Sequence, residues 1–132
     1  MSRTQQQSQP RLTDAELRLM DIIWKLAPVP VQGVVDALPA DLNLAYSTVL
    51  TTMRILEEKG FLTHTKEGRA FVYSPVVERK DASRSALREV LDRFFGSKPE
   101  LLVQNMIDEG DITTNELAKL KMLIAAAEKE TR

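Results

Sequence analysis

Residues 44–75, LAYSTVLTTMRILEEKGFLTHTKEGRAFVYSP, decide the fold of this 132-residue chain. They begin with a helix-like segment that Gly60 ends, because glycine readily adopts the left-handed conformation that closes a helix. Two β-like runs follow, residues 61–65 and 70–74, with the charged turn Lys66-Glu-Gly-Arg69 between them. Aromatic and β-branched residues on both sides of a glycine-containing turn predict a β-hairpin. A helix followed directly by a hairpin with basic residues at its tip is typical of the second half of a winged helix-turn-helix.

The helix of this stretch has two distinct faces when its residues are placed at the 3.6-residue period. The apolar face consists of Ala45, Val49, Met53 and Leu56. The opposite face is short and polar and consists of Ser47, Thr51, Arg54 and Glu58. Reading the major groove of DNA requires side chains that donate and accept hydrogen bonds. A solvated outer face would explain this helix taken alone, but the neighbouring elements favour a DNA-reading helix.

Two further helices are predicted before this stretch. Thr13-Asp-Ala-Glu16 is a capping-box pattern, and the apolar stripe that follows it consists of Leu17, Met20, Ile23 and Trp24. Pro28 and Pro30 end that helix. The second helix, of about two turns, carries Val31, Val34, Val35 and Leu38 and ends near Pro39. The resulting order, helix, short helix, helix, strand and strand, is that of a winged helix-turn-helix whose third helix is the reader.

The sequence after Pro75 predicts helices alone. Gly96 ends the first of them, and Ser97-Lys-Pro-Glu100 and Thr113-Thr-Asn-Glu116 are capping-box patterns for the next two. Three short helices with apolar stripes cannot easily bury those stripes by themselves, so a symmetric dimer is expected. The alternative is a monomeric lobe folded back on the hairpin. The residues expected at the dimer interface are Leu87, Leu91, Phe94, Leu101, Leu102, Met106, Leu117, Leu120 and Ile124.

The predicted fold class is therefore mainly α with a small β-hairpin, divided into three parts. Residues 1–10 are polar and rich in Gln and Ser, which predicts a disordered arm. Residues 11–76 form the N-terminal winged helix-turn-helix. Residues 77–132 form a three-helix C-terminal dimerisation lobe.

Composition excludes several classes of function. The chain has no cysteine and one histidine, His64, so neither disulfides nor a thiolate or histidine metal cluster is expected, and no cofactor or metal is predicted. It contains no catalytic constellation and no phosphate-binding glycine-rich loop, so we do not expect an enzyme. No apolar run approaches the roughly 20 residues that span a bilayer, and there is no signal peptide, so we expect a cytoplasmic protein without membrane insertion.

Net charge is the observation that fits DNA binding least well. The whole chain carries −1, and residues 1–76 hold eight basic and eight acidic side chains. Non-specific affinity for DNA grows with the number of phosphates that are neutralised. The basic groups near the hairpin would therefore have to act locally.

The chain resembles the penicillinase-repressor family, BlaI/MecI/CopY. The resemblance lies in Leu12-Thr-Asp-Ala-Glu-Leu17 and Met20-Asp-Ile-Ile-Trp24, continues through Ala45-Tyr-Ser-Thr-Val49 and Lys59-Gly-Phe-Leu62, and resumes in Asn105-Met-Ile-Asp-Glu109. It covers about residues 12–127. It implies a homodimeric repressor that binds an inverted-repeat operator in double-stranded DNA. The residues that it implies for DNA binding are Tyr46, Ser47, Thr48, Thr51 and Arg54 on the reading helix and Lys66 and Arg69 on the wing.

The resemblance also implies a mechanism of release. Family members that respond to β-lactams are cleaved in the dimerisation lobe after an Asn that precedes a Phe, at a signal from a membrane sensor with a zinc-protease domain. The corresponding pair here is Asn105-Met106, the candidate cleavage site, in which Met replaces Phe. The replacement favours the simpler interpretation of Met106, as a residue of the dimer core. The cysteine motif of the copper-responsive branch is absent.

A second class of function fits the same elements. The hairpin and the helical lobe could form a winged-helix protein-interaction module without specific DNA binding. The nearly neutral winged-helix region favours this alternative, and a binding constant that does not depend on salt would distinguish it from DNA binding.

Overall fold

The computed structural model describes residues 11–131, and the predicted arm of residues 1–10 lies outside that range. The fold is mostly helical with a small antiparallel sheet, which confirms the predicted fold class. The described residues divide into two compact units between Leu87 and Arg88, inside a helix. The functional boundary between residues 76 and 77 stays a prediction.

The first unit contains three complete helices, three strands and the beginning of a fourth helix, which continues into the second unit. The elements are α1 (Asp14–Leu26), β1 (Val29–Pro30), α2 (Val31–Asp36), α3 (Tyr46–Glu58), β2 (Leu62–Glu67), β3 (Ala70–Pro75) and α4 (Arg79–Phe94). The second unit adds α5 (Pro99–Asp108) and α6 (Thr114–Glu130). The predicted helices, the hairpin and the glycine that closes α3 are confirmed, since Gly60 has φ +91°.

The sheet has one strand more than the sequence predicted. Its order is β1-β3-β2, and β1 pairs with β3 through Val29↔Tyr73 and Pro30↔Val72. β2 and β3 pair up to Glu67↔Ala70, so the turn between them is Gly68–Arg69 rather than the four residues predicted. Gly68 makes this tight turn with φ +64°, a conformation in which a Cβ would be strained.

The core of the first unit lies between α1, α2, α3 and the inner ends of the strands. Its fully buried side chains include Leu19, Met20, Ile23, Val34, Val49, Met53, Leu56 and Phe61. The prediction that Leu17 belongs to the buried stripe of α1 is wrong, because Leu17 is 41% exposed. Leu19 takes its place, so the buried stripe lies further round the helix. Trp24 is half-buried, and its indole Nε1 donates to the Val77 carbonyl at 2.9 Å.

The capping box of α1 also carries a buried ion pair. The Thr13 hydroxyl accepts from the Glu16 amide and the Glu16 carboxylate accepts from the Thr13 amide, as the sequence predicted. Glu16 is only 6% exposed, and its Oε1 lies 2.7 Å from Lys59 Nζ. Burial alone would raise the pKa of Glu16, but the hydrogen bonds from Lys59 and Thr13 and the charge of Lys59 lower it overall. The pair thus ties the start of α1 to the end of α3.

The two capping boxes predicted in the second unit have different outcomes. Thr113 and Glu116 form theirs at the start of α6. The box predicted at Ser97 is wrong, because Lys98 caps α5 without a side-chain hydrogen bond. Ser97 has φ +63°, and its hydroxyl donates to Asp92 Oδ1 at 2.7 Å, back towards α4.

None of the helices within residues 11–131 has both the length and the apolar character to cross a bilayer.

Candidate nucleic-acid interface

Helix α3 presents a polar face that no other part of the described chain covers. Its inner face is fixed by Val49, Met53 and Leu56, which are buried in the core. This anchoring turns the side chains of the opposite face to solvent, where Ser47, Thr48, Thr51, Arg54 and Glu58 are all exposed. Thr48, which the family resemblance alone implied for DNA binding, is therefore part of the exposed surface. Its carbonyl also accepts a 2.9 Å hydrogen bond from the Thr52 hydroxyl.

The start of α3 is open as well. Ala45 is the N-cap and has no side chain that can accept from the free amides of the first turn. Those amides and the positive end of the helix dipole attract an anion at a helix start. Tyr46, the first helical residue, is 48% exposed.

The hairpin places two cations beyond the sheet core. Lys66 lies near the end of β2 and Arg69 in the turn, and both are exposed. Within residues 11–131, neither of them nor Arg54 forms a salt bridge. Lys59, by contrast, is engaged with Glu16 and with the Arg11 carbonyl, so it is not available as a surface cation.

The junction between α3 and the hairpin collects charged and aromatic groups. Burial raises the pKa of the Tyr73 phenol, the Glu57 carboxylate raises it further, and the Arg54 guanidinium opposes both. Glu57 also accepts a hydrogen bond from His64 Nδ1 at 2.8 Å. Sequence reasoning missed this pair, because residues seven apart across a helix end and a strand start carry no periodic signal.

The second unit presents an apolar surface instead. Phe94, Leu101, Met106, Leu117 and Ile124 are exposed, Phe94 by 67%. Leu87, the last residue of the first unit, is exposed as well. Leu102 and Leu120 are half-buried, and Leu91 is buried within the protomer at 5% exposure. Contiguous apolar residues of this kind on a helical lobe commonly mark an interaction surface.

The peptide bond between Asn105 and Met106 lies inside α5. The Asn105 carbonyl accepts from the Glu109 amide at 3.0 Å, and the Met106 carbonyl accepts from the Asp111 amide at 3.0 Å. Met106 also lines an open pocket of about 360 Å³ between α5 and α6, together with Val103, Asp111, Ile112, Glu116, Lys119 and Leu120. Among the described residues, no group of three or more potential ligands is arranged to hold a metal ion.

These features define a class of protein. A three-helix unit with a small antiparallel sheet, an exposed polar third helix and a hairpin with a basic tip is a winged helix-turn-helix. The chain belongs to the penicillinase repressor family, whose model matches residues 12–126. This family is one of transcriptional repressors, as the resemblance in the sequence implied.

Individual relatives agree with this assignment. The chain is 30% identical over 115 residues to the penicillinase repressor of Bacillus licheniformis, covering 87% of this chain and 90% of that protein. It is 32% identical over 118 residues to the transcriptional regulator BlaI of Mycobacterium tuberculosis, covering 84% and 86%. A solution structure of the DNA-binding domain of the repressor BlaI matches with a TM-score of 0.50 and 36% identity, covering 57% of this chain and 92% of that domain.

Proposed function

We propose that this protein is a homodimeric repressor that binds an inverted-repeat operator through its winged helix. The observation that carries the proposal is the exposed polar face of α3 beside a hairpin whose cations Lys66 and Arg69 form no salt bridge within the described part of the chain. Its support is the likeness of residues in this unit to a BlaI domain that binds DNA. In this proposal residues 11–76 bind DNA and residues 77–132 form the dimer.

Helix α3 and the hairpin have different roles in this proposal. Ser47, Thr48, Thr51 and Arg54 face the major groove, where their donors and acceptors meet base edges. Tyr46 lies beside the backbone at the open start of α3, where free amides attract a phosphate. Lys66 and Arg69 on the wing contact phosphate or the minor groove. Contacts to phosphate position the protein, and contacts to bases select the sequence.

Arg54 should contribute most to sequence selection. We expect Arg54→Ala to weaken operator binding by about 1–3 kcal/mol, because a bidentate contact from arginine to guanine contributes that much to discrimination. Fluorescence anisotropy with the operator and with a scrambled duplex measures the difference, which should be larger for the operator. If the fold is intact and affinity for the operator does not change, Arg54 is not a reading residue. Glu58→Ala, on the same exposed face, serves as the matched control for disturbance of the helix.

Arg69 should act through charge alone. We expect Arg69→Ala to weaken binding to all duplexes by a similar factor and to reduce the slope of log Kd against log salt by about one phosphate contact. A titration from low to high salt measures the slope for both proteins. A loss confined to one operator sequence would contradict a phosphate contact and would indicate base reading by the wing.

The apolar surface of the second unit supports the homodimer. A symmetric dimer uses the same surface of both copies. The exposed leucines of α4, α5 and α6 offer an apolar surface whose removal from water on dimerisation is favourable. Two winged helices in one dimer then bind two half-sites about one helical turn apart. Leu91 is only 5% exposed within the protomer, so it offers little area to a second copy.

Release by cleavage between Asn105 and Met106 is the finer part of the proposal. A signal from a membrane sensor protease would start it, as in the family's β-lactam response. The bond lies in a hydrogen-bonded turn of α5, whereas a protease needs an extended and accessible segment. Cleavage therefore requires the end of α5 to open locally. Opening would also remove Met106 and its neighbours from the dimer surface.

The direct test is selection of bound fragments from sheared DNA of the source organism. An enriched inverted repeat with half-sites about one helical turn apart is the expected result. The near-neutral charge of residues 1–76 favours a second candidate, a protein-interaction module. If no fragment is enriched above background, that candidate replaces the repressor.

A further inference from the structure

A carboxylate on the reading helix and the single histidine of the chain join α3 to the wing. His64 Nδ1 lies 2.8 Å from Glu57 Oε1 and 2.9 Å from Glu57 Oε2. An ionised carboxylate can only accept, so the contact requires a proton on Nδ1. It therefore forms with the neutral imidazole and with the protonated one. The two side chains are about one-third exposed, at 35% and 32%, so the pair is neither buried nor freely hydrated.

Two aromatic side chains of β3 pack against the His64 imidazole. The centroid of the Phe71 ring lies 5.0 Å away in an edge-to-face arrangement, and that of Tyr73 lies 5.2 Å away. Tyr73 is directly opposite His64 in the sheet register, and Phe71 is opposite Lys66. Glu57 thus contacts an imidazole whose position is already limited by β3. The pair connects α3 to both strands of the hairpin and not only to β2.

Little else holds the outer hairpin to the helix. Of the residues of β2, Leu62 alone is buried, and the five that follow it are exposed. Within residues 11–131, no other hydrogen bond or ion pair joins a side chain of α3 to the hairpin. Apolar packing therefore fixes the base of the hairpin, and the Glu57–His64 pair fixes its next segment.

Because the turn of the hairpin lies well beyond His64, a small rotation at the Glu57–His64 contact would move the turn by a larger distance. Three residues of extended strand separate His64 from Gly68 in the turn, and the four steps along the chain span about 13 Å. A rotation of about 10° at His64 would displace the tip by about 2 Å, which is enough to break a hydrogen bond to phosphate. Lys66 lies on the same side of β2 as His64, since side chains two apart on a strand share a face. Its ammonium group would move with the imidazole.

We propose that Glu57 and His64 are positioning residues that set the wing cations Lys66 and Arg69 relative to the reading face of α3. The inference rests on the proposed function, because it concerns how the wing meets DNA. The hydrogen bond also gives the Glu57 carboxylate a partner between α3 and the hairpin.

The test uses His64→Leu in the full chain, with the selected operator as probe. Leucine keeps apolar contact with Phe71 and Tyr73 but has no donor for Glu57. We expect about fivefold weaker binding, the range of a single hydrogen bond, and a smaller salt slope. His64→Asn, whose side-chain amide nitrogen occupies the position of Nδ1 and can donate to Glu57, should recover most of the loss. Thr65→Leu, one residue along and on the opposite face of β2, is the matched control and should bind as the unmodified protein does.

A double-mutant cycle separates positioning from an independent contact. If His64 positions the wing, Arg69→Ala should weaken binding less in His64→Leu than in the unmodified protein, because the misplaced wing has already lost that contact. Equal effects of Arg69→Ala in both backgrounds would overturn the proposal, as would unchanged affinity of His64→Leu. Glu57→Ala removes the same contact from the helix side. It takes the place of His64→Leu in the double-mutant cycle if His64→Leu does not fold. Trp24 fluorescence reports the fold of each variant.

The two hypotheses fail in different ways. If the unmodified protein does not bind the operator in a salt-dependent manner, the proposed function is wrong and the positioning role is wrong with it. If the unmodified protein binds and Arg69→Ala weakens binding but the cycle shows no coupling, the positioning role alone is wrong.

Discussion

A fragment that ends at Asn105 should bind the full inverted repeat about 100-fold or more weakly than the intact chain. The fragment keeps the whole winged helix and loses Met106, the end of α5 and all of α6. With them it loses four of the nine residues that we assign to the dimer, Met106, Leu117, Leu120 and Ile124, including every one that α6 contributes. Two winged helices held in one dimer bind their half-sites at a high effective concentration, which raises affinity by about 10²–10⁴-fold over a single unit. Separate units do not have this gain.

Binding to a duplex with one half-site is the internal control for that experiment. The fragment and the intact chain should bind a single half-site with similar affinity, because the DNA-contacting surface is the same in both. A second fragment, ending at Glu130 and so retaining all of α6, should bind the full repeat as the intact chain does. Equal affinity of the Asn105 fragment and the intact chain for the full repeat would contradict the dimer mechanism. Sedimentation equilibrium gives the oligomeric state of each protein.

Lys59→Met should destabilise the winged-helix unit by about 2–4 kcal/mol. The substitution keeps the length of the side chain but leaves the Glu16 carboxylate buried without its cation, and breaking such a pair is far more harmful than replacing both partners. Chemical denaturation followed by the fluorescence of Trp24, the only tryptophan, reports on this unit. Arg18→Met is the matched control. It breaks the exposed Arg18–Asp41 pair at 2.9 Å, and the free energy of unfolding should hardly change.

The effect of Lys59→Met should depend on pH in a defined direction. Because the folded pKa of Glu16 lies below its ordinary value of 4.5, the pair stabilises the fold above that value and stops doing so as pH falls through the lowered pKa. In Lys59→Met the Glu16 carboxylate stays buried without its cation. Protonation of Glu16 at low pH therefore removes the cost of a buried, unpaired charge in the variant. The difference in stability between the two proteins should therefore shrink as pH falls below about 5. A difference that is constant from neutral pH to pH 3 would mean that Glu16 is not the group responsible.

The helices could be predicted because their signals are local. The capping boxes at Thr13 and Thr113 and the left-handed Gly60 each depend on residues within one turn, and all three are confirmed. Ser97 had the same pattern and adopted another conformation, because the turn after Gly96 placed its hydroxyl beside Asp92. A capping pattern therefore predicts a cap only where the preceding chain leaves the side chain free to rotate back.

The features that the sequence could not supply depend on contacts between distant residues. Strand β1 has two residues, too few for an alternating pattern, and its pairing with Tyr73 spans more than forty positions. The Glu16–Lys59 pair joins residues 43 apart, so it appears only once α1 and α3 are packed. Glu57 and His64 are close in sequence but lie on different elements. For the candidate interface, the helical period correctly indicated that Ser47, Thr51, Arg54 and Glu58 are exposed. It did not indicate Thr48, and the contacts of all these residues with DNA stay predictions.

The salt dependence of binding tests the proposed DNA contact most directly. The dissociation constant of the intact protein for the best selected fragment should be measured from about 50 to 200 mM salt. We predict a straight line of log Kd against log salt, with affinity falling about 10³-fold or more if six or more phosphates are contacted by the dimer. A dissociation constant that does not change over this range would contradict DNA binding through the winged helix and would favour a protein partner.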